Sequence, residues 1–386
     1  MTITDAAKLA MAGAGTPAFS KMLPIADPEG MPGAEFLEDV HKIIASKQLT
    51  NGMYVRKFEE TAAAYLGVEH CVAVASCTAG LLLVLKALNL RGEVILPSFT
   101  FHATAHAVAW NALKPVFADC DPETFCVDPK SVRERISSQT AAILGVHMFG
   151  NPAPVAELQE ISNSWHFPLV FDAAHAFGSR NMGKRIGGFG VAEVFSFSPT
   201  KLVVAGEGGV IATSDARLAQ TLRAARNYGD AGNYDPEIRG INARMAEING
   251  ALALRGLTGL EQRISRRNII RERYEENLRN VPGIHFQRIS QGSLSACKDF
   301  SILVDKKHFG QTRDQLVSHL RQQNIDARRY FSPPVHQQKL YSELWDRRPL
   351  PVTEYVSSSV VSLPVYSSLT DDAVDAICDV IRRKQQ

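Results

Sequence analysis

The sequence of 386 residues lacks a large net charge and long apolar runs. Lysine and arginine number 42 and aspartate and glutamate 40, so the net charge is +2. Nucleic-acid surfaces and polybasic membrane patches need a concentrated positive field, and this balance argues against both kinds of partner. No stretch reaches the roughly 18 apolar residues of a membrane span, and the N-terminal segment is a poor signal peptide. We therefore expect a soluble, cytoplasmic protein.

Cysteine is also scarce, with six residues in the whole chain. No two of them form a Cys-x-x-Cys pair, and no histidine lies at zinc-finger spacing, which argues against a structural metal. The pattern is typical of a reduced compartment. The densest basic stretch contains Arg266, Arg267, Arg271 and Arg273 among glutamates, and we expect it to be the solvated face of a long helix.

Short apolar runs alternate with helical patterns between residues 70 and 227. Runs such as 71–75 and 169–171 have the continuous apolar character of strands that are buried on both faces. Amphipathic segments such as 79–90 separate these runs. The pattern predicts an α/β fold with a mostly parallel sheet covered by helices on both faces.

Beyond residue 245 the pattern changes to one long helical stretch, interrupted near Gly256 to Gly259, and then to short strands and helices. This change indicates a second, smaller α+β unit. We expect an N-terminal arm over residues 1–35, a large domain over 36–255 and a small C-terminal domain over 256–386. The polar, proline-rich segment 329–352 is typical of a functional or interface loop.

Lys201 is the first candidate for chemistry. It follows a predicted strand and precedes the apolar residues 202–205 and a glycine-rich turn. Partial desolvation would lower the pKa of its ammonium group, and lysines of that kind form Schiff bases. An ordinary surface lysine beside a turn is an equally good interpretation of this segment alone.

Asp172 lies at the carboxyl end of a buried strand, where open α/β sheets bind ligands. A carboxylate there could pair with a cationic ring nitrogen, as pyridoxal phosphate requires, or could cap the next helix. His175 could contact the same cofactor or be a packed histidine.

Two further segments also follow directly after predicted strands, as Asp172 and Lys201 do. Ser76 to Thr78 leads from a strand into a helix, so its backbone N–H groups could bind a phosphate, or Ser76 could be a plain N-cap. Phe101 follows the next strand and could stack on a planar cofactor, although such an aromatic residue is more often core. A phosphate site, a stacking ring, a carboxylate and a lysine in this order together predict a pyridoxal phosphate site.

The sequence resembles the sugar aminotransferase family of fold type I pyridoxal phosphate enzymes, whose members act on nucleotide-linked keto sugars. The resemblance runs from residue 52 to residue 366, and its motifs are SCTAG, PSFTFHAT, KPVFADCDPETF, HMFGNP, FDAAHAFGS, SFSPTKLVVAGEGG and GINARMAEINGALAL. It implies a seven-stranded, mostly parallel sheet. It also implies that Lys201 holds the cofactor through a Schiff base, that Asp172 contacts the pyridine nitrogen and that Phe101 stacks on the ring.

The same resemblance implies that Thr78, Ala79 and Ser196 serve the cofactor's phosphate. His175 stands where many members have glutamine, and both can hydrogen-bond near the cofactor's hydroxyl. Asn242 is similar to a residue that members insert into the neighbouring subunit's phosphate site, which implies a homodimer with shared active sites. Some relatives carry histidine in place of the lysine and are dehydratases, and the presence of Lys201 argues against that reaction.

The function that we expect is transfer of an amino group, by resemblance from L-glutamate, to a nucleotide-linked keto sugar. Among such sugars, thymidine-linked 6-deoxy keto sugars are the substrates that we favour. Six residues are candidates for substrate contacts: Asn51, Lys184, Tyr228, Arg329, Tyr330 and His336. Three alternatives stay open, namely a cyclitol aminotransferase, a sugar dehydratase that uses the same cofactor, and a regulatory protein that keeps the fold without turnover.

Overall fold

A computed structural model describes residues 17–30 and 33–385. The predicted N-terminal arm lies partly outside these residues. Among the described residues, no helix is long and apolar enough to cross a membrane. No group of three or more potential metal-binding side chains lies together in this part of the chain.

A seven-stranded sheet forms the centre of the molecule, with the order β1-β9-β8-β5-β4-β2-β3. Only β9 runs antiparallel to its neighbours, so the predicted mostly parallel sheet is confirmed. Its strands are β1 (His70–Val74), β2 (Glu93–Pro97), β3 (Lys114–Ala118), β4 (Thr140–Val146), β5 (Leu169–Asp172), β8 (Ala192–Ser196) and β9 (Gly209–Thr213). A small hairpin of β6 (Arg180–Asn181) and β7 (Lys184–Arg185) lies between β5 and β8 in the sequence.

Helices cover both faces of this sheet, because alternate side chains of each strand point to opposite sides. Val72 and Val74 pack into one apolar cluster, while Cys71 and Ala73 pack into another. The helices before and among the sheet strands are α1 (Ala34–Ser46), α2 (Met53–Leu66), α3 (Cys77–Ala87), α4 (His102–Trp110), α5 (Pro129–Arg135), α6 (Val155–Trp165) and α7 (Ala216–Ala225). The first predicted helix after β1 is thus confirmed as α3.

A smaller unit follows, as predicted, around a three-stranded antiparallel sheet of order β10-β11-β12. Its strands are β10 (Ile284–Phe286), β11 (Phe300–Val304) and β12 (Val360–Leu363). The remaining helices are α8 (Glu247–Gly256), α9 (Leu260–Leu278), α10 (Lys306–Phe309), α11 (Arg313–Gln322), α12 (Pro351–Ser359) and α13 (Asp371–Gln385). The expected interruption of the long helix is therefore confirmed between α8 and α9.

Helix α9 belongs to both apolar cores. Ile264 packs with the residues of the large sheet, whereas Ile270 and Tyr274 pack with the three-stranded sheet. Phe19 and Leu23 of the N-terminal arm also pack into the core of the smaller unit. The division of the chain at residues 35 and 255 stays a prediction.

Arg267 corrects the expectation of a solvated basic face on α9. Its side chain is fully buried, and Nη2 and Nε donate to Glu29 Oε2 at 2.7 and 2.9 Å. Its Nη1 donates to the backbone carbonyls of Cys297 and Lys298, each at 3.2 Å. A buried guanidinium needs such partners, since an unpaired buried charge is costly.

Candidate active site

The carboxyl ends of β1, β2, β4, β5 and β8 meet at one edge of the large sheet because these strands are parallel. A cavity of about 310 Å³ opens there. Its lining includes the side chains that follow these strand ends, with Lys298, Asp299, Tyr330 and Phe331 of the smaller unit on the other wall. The cavity therefore lies between the two units.

Lys201 faces this cavity from a tight turn after β8. The turn is held by hydrogen bonds from the Lys201 N–H to the Ser198 carbonyl and from the Ala205 N–H to the Phe197 carbonyl. Residues 202–205 are all buried, as the sequence suggested. Burial, with a smaller contribution from the charge of Lys298, lowers the pKa of Lys201 to about 8. The structure thus gives Lys201 the environment of a nucleophilic amine.

Asp172 ends β5 and is also buried in the cavity wall. Its Oδ2 accepts a hydrogen bond from the Thr104 hydroxyl at 2.8 Å, and its Oδ1 accepts one from the Ala174 N–H at 3.1 Å. Burial raises the pKa of this carboxyl above its ordinary value, although both hydrogen bonds and the charge of Lys201 oppose the rise. A cation placed against Asp172 would stabilise its ionised form.

His147 also lines the cavity, and its backbone N–H donates to the Asp172 carbonyl at 3.1 Å, but the sequence indicated no role for it. Its Nε2 lies 2.9 Å from Glu193 Oε1, and both side chains are fully buried. The Ala153 N–H donates to Nδ1 at 2.9 Å, so the ring proton lies on Nε2 and points at Glu193. The position of His147 directly after β4, within the motif HMFGNP, was the available signal.

His175 lines the cavity as expected. The Phe149 N–H donates to its Nδ1 at 3.3 Å, which leaves Nε2 as the protonated nitrogen of a neutral ring. Burial, followed by the charges of Lys201 and Lys298, places the pKa of His175 well below its ordinary value. His175 is therefore a neutral hydrogen-bond donor.

A polar pocket for an anion lies at the start of α3. Ser76 caps this helix by accepting the Ala79 N–H at 3.1 Å, and the N–H groups of Cys77 and Thr78 have no partner within the helix. Hydroxyl side chains from the turn after β8 line the same cavity: Ser196, Ser198 and Thr200. The backbone of Ser76 and Cys77 passes so close to Gly209 that a Cβ there would lie 2.7 Å from the Cys77 nitrogen.

Phe101 supplies an apolar surface at the mouth of the cavity, where its side chain is 46% exposed. Its ring centroid lies 5.8 Å from that of Phe331. Phe331 comes from the segment 329–352, which also contributes Tyr330 to the lining. The sequence-based candidates did not include Phe331, although it directly follows the candidate Tyr330.

The structure brings seven predicted residues to the cavity: Thr78, Phe101, Asp172, His175, Ser196, Lys201 and Tyr330. The other predicted residues lie elsewhere in this chain. Ala79 supports the Ser76 cap without lining the cavity, and His336 is buried against Ser98, with Nδ1 2.7 Å from the serine Oγ. Arg329 lies in a neighbouring groove with Phe101 and pairs with Asp314 at 3.2 Å.

Four more predicted residues lie away from the cavity. Asn51 borders a separate groove that also contains Asn227 and Arg244, and Tyr228 is exposed beside the Arg244 guanidinium. Asn242 is exposed and pairs through its backbone with Asn227. Lys184 is exposed on the small hairpin. Their roles stay predictions.

The residues of the cavity fit pyridoxal phosphate. The unpaired N–H groups at the start of α3 and the nearby hydroxyls suit a phosphate, because a helix N-terminus favours an anion. The buried Asp172 suits a protonated ring nitrogen, and a partly neutral Lys201 suits an aldehyde.

Comparisons with known proteins agree with this geometry. A family model described as the DegT/DnrJ/EryC1/StrS aminotransferase family matches residues 31–382. A dTDP-4-amino-4,6-dideoxy-D-glucose transaminase from Escherichia coli is 34% identical over 373 residues, which cover 94% of this chain and 99% of that protein.

Solved structures show the same similarity in three dimensions. DesI, solved in the presence of its TDP-sugar product, has a TM-score of 0.92 at 36% identity and covers 100% of this chain and 97% of its own. A Bacillus subtilis protein, NtdA, solved with its cofactor PMP, has a TM-score of 0.85 at 25% identity and covers 95% and 86%. This chain is therefore a pyridoxal phosphate-dependent aminotransferase and belongs to the DegT/DnrJ/EryC1/StrS aminotransferase family.

Proposed function

We propose that this enzyme transfers an amino group from L-glutamate to the keto group of a dTDP-linked 6-deoxy sugar. The observation that carries the proposal is the cavity that Lys201 and Asp172 share with a helix N-terminus suited to phosphate. The relatives support the substrate class, since one is named for a dTDP-linked amino sugar and another was solved with a TDP-sugar product. The corresponding keto substrate is dTDP-4-keto-6-deoxy-D-glucose.

Lys201 has two tasks in this proposal. It would hold the aldehyde carbon of pyridoxal phosphate until the amine of the donor displaces it. The Lys201 amine would also act as general base, taking a proton from the donor carbon, and as general acid when it gives that proton up. When bound, the cofactor supplies an electron sink for the electron pair that the departing proton leaves behind.

Asp172 would keep the ring nitrogen protonated. Its two oxygens already accept hydrogen bonds from Thr104 and Ala174, which orient the carboxylate in the wall of the cavity. His175 would donate from Nε2 to the cofactor's hydroxyl oxygen, because its other nitrogen accepts the Phe149 N–H. Together these contacts would hold the cofactor within reach of Lys201.

We also propose a homodimer in which Asn242 completes the partner's phosphate site. Asn242 is exposed in this chain and lies outside the lining of the chain's own cavity. Ile241, which precedes Asn242 in the chain, and Ile248, in the first turn of α8, are 41% exposed each, which is consistent with a surface that a second copy covers.

The variant Lys201→Ala tests the proposal. We expect loss of multiple turnover, because both the covalent anchor and the base are removed. Lys57→Ala, at an exposed lysine, is the matched control and should retain wild-type activity. Visible absorbance before and after L-glutamate, and again after dTDP-4-keto-6-deoxy-D-glucose, follows each half-reaction.

Turnover that persists in Lys201→Ala would refute the assignment of this lysine. A wild-type protein that accepts the amino group from glutamate but passes it only to a keto cyclitol would refute the sugar substrate. A wild-type protein that takes up the cofactor but ignores every donor would favour the non-catalytic alternative.

A further inference from the structure

Two charged residues of the smaller unit line the cavity, and the proposed cofactor contacts use neither of them. Lys298 and Asp299 directly precede β11 and are 5% and 8% exposed. Lys298 Nζ lies 2.7 Å from Asp299 Oδ1. Both residues line the same cavity as Lys201 and Asp172. A charged pair buried at a cavity wall is costly unless something else satisfies its remaining hydrogen-bonding capacity.

That capacity is only partly used. Asp299 Oδ2 is buried and accepts no hydrogen bond from the described residues. The ammonium group of Lys298 has three protons and, within the described part of the chain, donates only to Asp299. The ring of Tyr330 lies 5.7 Å from it and offers a face rather than an acceptor atom. Among the described residues, one hydrogen-bond acceptor, Asp299 Oδ2, and at least one N–H donor of the Lys298 ammonium group thus have no partner and lie beside each other.

The surrounding backbone holds the pair in place. The Lys298 N–H donates to the Phe149 carbonyl at 3.1 Å, and buried Arg267 donates to the carbonyls of Cys297 and Lys298. Cys297 has a φ of +50°, a conformation that non-glycine residues rarely adopt, and its N–H is held by Ser295 Oγ at 2.9 Å. A strained turn that is fixed by several contacts is typical of a functional site.

We infer that Lys298 and Asp299 bind a ring hydroxyl of the keto sugar and so determine substrate specificity. This inference rests on the proposed function. A hydroxyl uses both open positions at once, because it donates to Asp299 Oδ2 and accepts from Lys298 Nζ. The carboxylate of an amino donor would use only Lys298 and would lie against the open oxygen of Asp299, with repulsion between the like charges.

The test compares dTDP-4-keto-6-deoxy-D-glucose with its 2-deoxy and 3-deoxy analogues in the wild type, Asp299→Asn and Lys298→Met. The wild type should prefer the parent sugar over one analogue by ~10- to 100-fold in kcat/KM, because a buried polar group left unpaired is penalised. Both variants should reduce that preference to ~3-fold or less. The ratio between two sugars cancels any effect of the variants on Lys201.

The second readout is the half-reaction with glutamate, in which the enzyme accepts the amino group. The control variant is Asp372→Asn, at an exposed position outside the lining of the cavity. Asp372→Asn should leave both half-reactions as in the wild type, and a KM for glutamate that rises less in Asp299→Asn than the KM for the parent sugar supports a sugar-specific role. A preference for the parent sugar that survives in both variants overturns the inference. A selective rise in the KM for glutamate overturns it as well, because it assigns the pair to the donor. If the wild type accepts the amino group but aminates none of the three sugars, the proposed function falls and this assignment falls with it.

Discussion

The pKa of Lys201 offers a quantitative test of the site. A pKa of about 8 leaves about a quarter of the side chain neutral at pH 7.5, against about a thousandth for a lysine with the ordinary pKa of 10.5. Only the neutral amine can attack the aldehyde of pyridoxal phosphate. At this pH Lys201 should therefore capture the cofactor up to about 200-fold faster than a lysine with an ordinary pKa in the same position, since this is the ratio of the two neutral fractions.

The assay is the rate of colour formation after cofactor-free protein is mixed with pyridoxal phosphate between pH 6 and 11. The rate should rise with pH through a midpoint near 8 and then level off, because deprotonation is complete above the pKa. The same rate is measured for the amino acid lysine with its α-amino group acetylated, and this reference corrects for titration of the cofactor itself. Lys201→Ala supplies the background rate.

Two variants sharpen the test because they change the surrounding charge in opposite directions. The charge of Lys298 lowers the pKa of Lys201, whereas that of Asp299 raises it. Lys298→Met should move the midpoint to higher pH, because a charge that lowers the pKa is removed, and Asp299→Asn should move it to lower pH, because a charge that raises the pKa is removed. A wild-type midpoint above pH 10, or shifts of the same sign in both variants, would refute the reasoning that burial and Lys298 depress this pKa.

Two further predictions concern the structure that supports the site. In Gly209→Ala the new Cβ would lie 2.7 Å from the Cys77 nitrogen, so the start of α3 must move and the affinity for pyridoxal phosphate should fall by ~10-fold or more in an absorbance titration. Gly188→Ala, whose nearest neighbour would be at 3.6 Å, is the control, and equal affinities in the two variants would contradict the role of the close approach. Glu29→Gln leaves the Arg267 guanidinium buried without its ionic partner and should lower the free energy of unfolding by about 3 to 5 kcal/mol in urea denaturation. The control Glu35→Gln removes the exposed partner of Arg255 and should cost about 1 kcal/mol or less, so a similar loss in both variants would argue against the importance of the buried pair.

The sequence by itself determined the parts of the site that depend on local pattern. Asp172 and Lys201 could be found because each follows a recognisable apolar strand, and parallel strands place their carboxyl ends at one edge. Ser76 could be found because a serine before a helical pattern is a typical N-cap. Strand periodicity and helix capping act over a few residues, so they are visible without the fold.

Only the tertiary structure decided which residues face Lys201 from the other wall. Lys298 and Asp299 lie about a hundred residues further along the chain, and nothing in their local pattern separates them from solvated charges. The same holds for Arg267, which the sequence suggested was exposed and which is buried because Glu29, 238 residues away, packs against it. Burial and pairing across such separations depend on how two units pack, and that packing decides which charges stay in water and which line the active site.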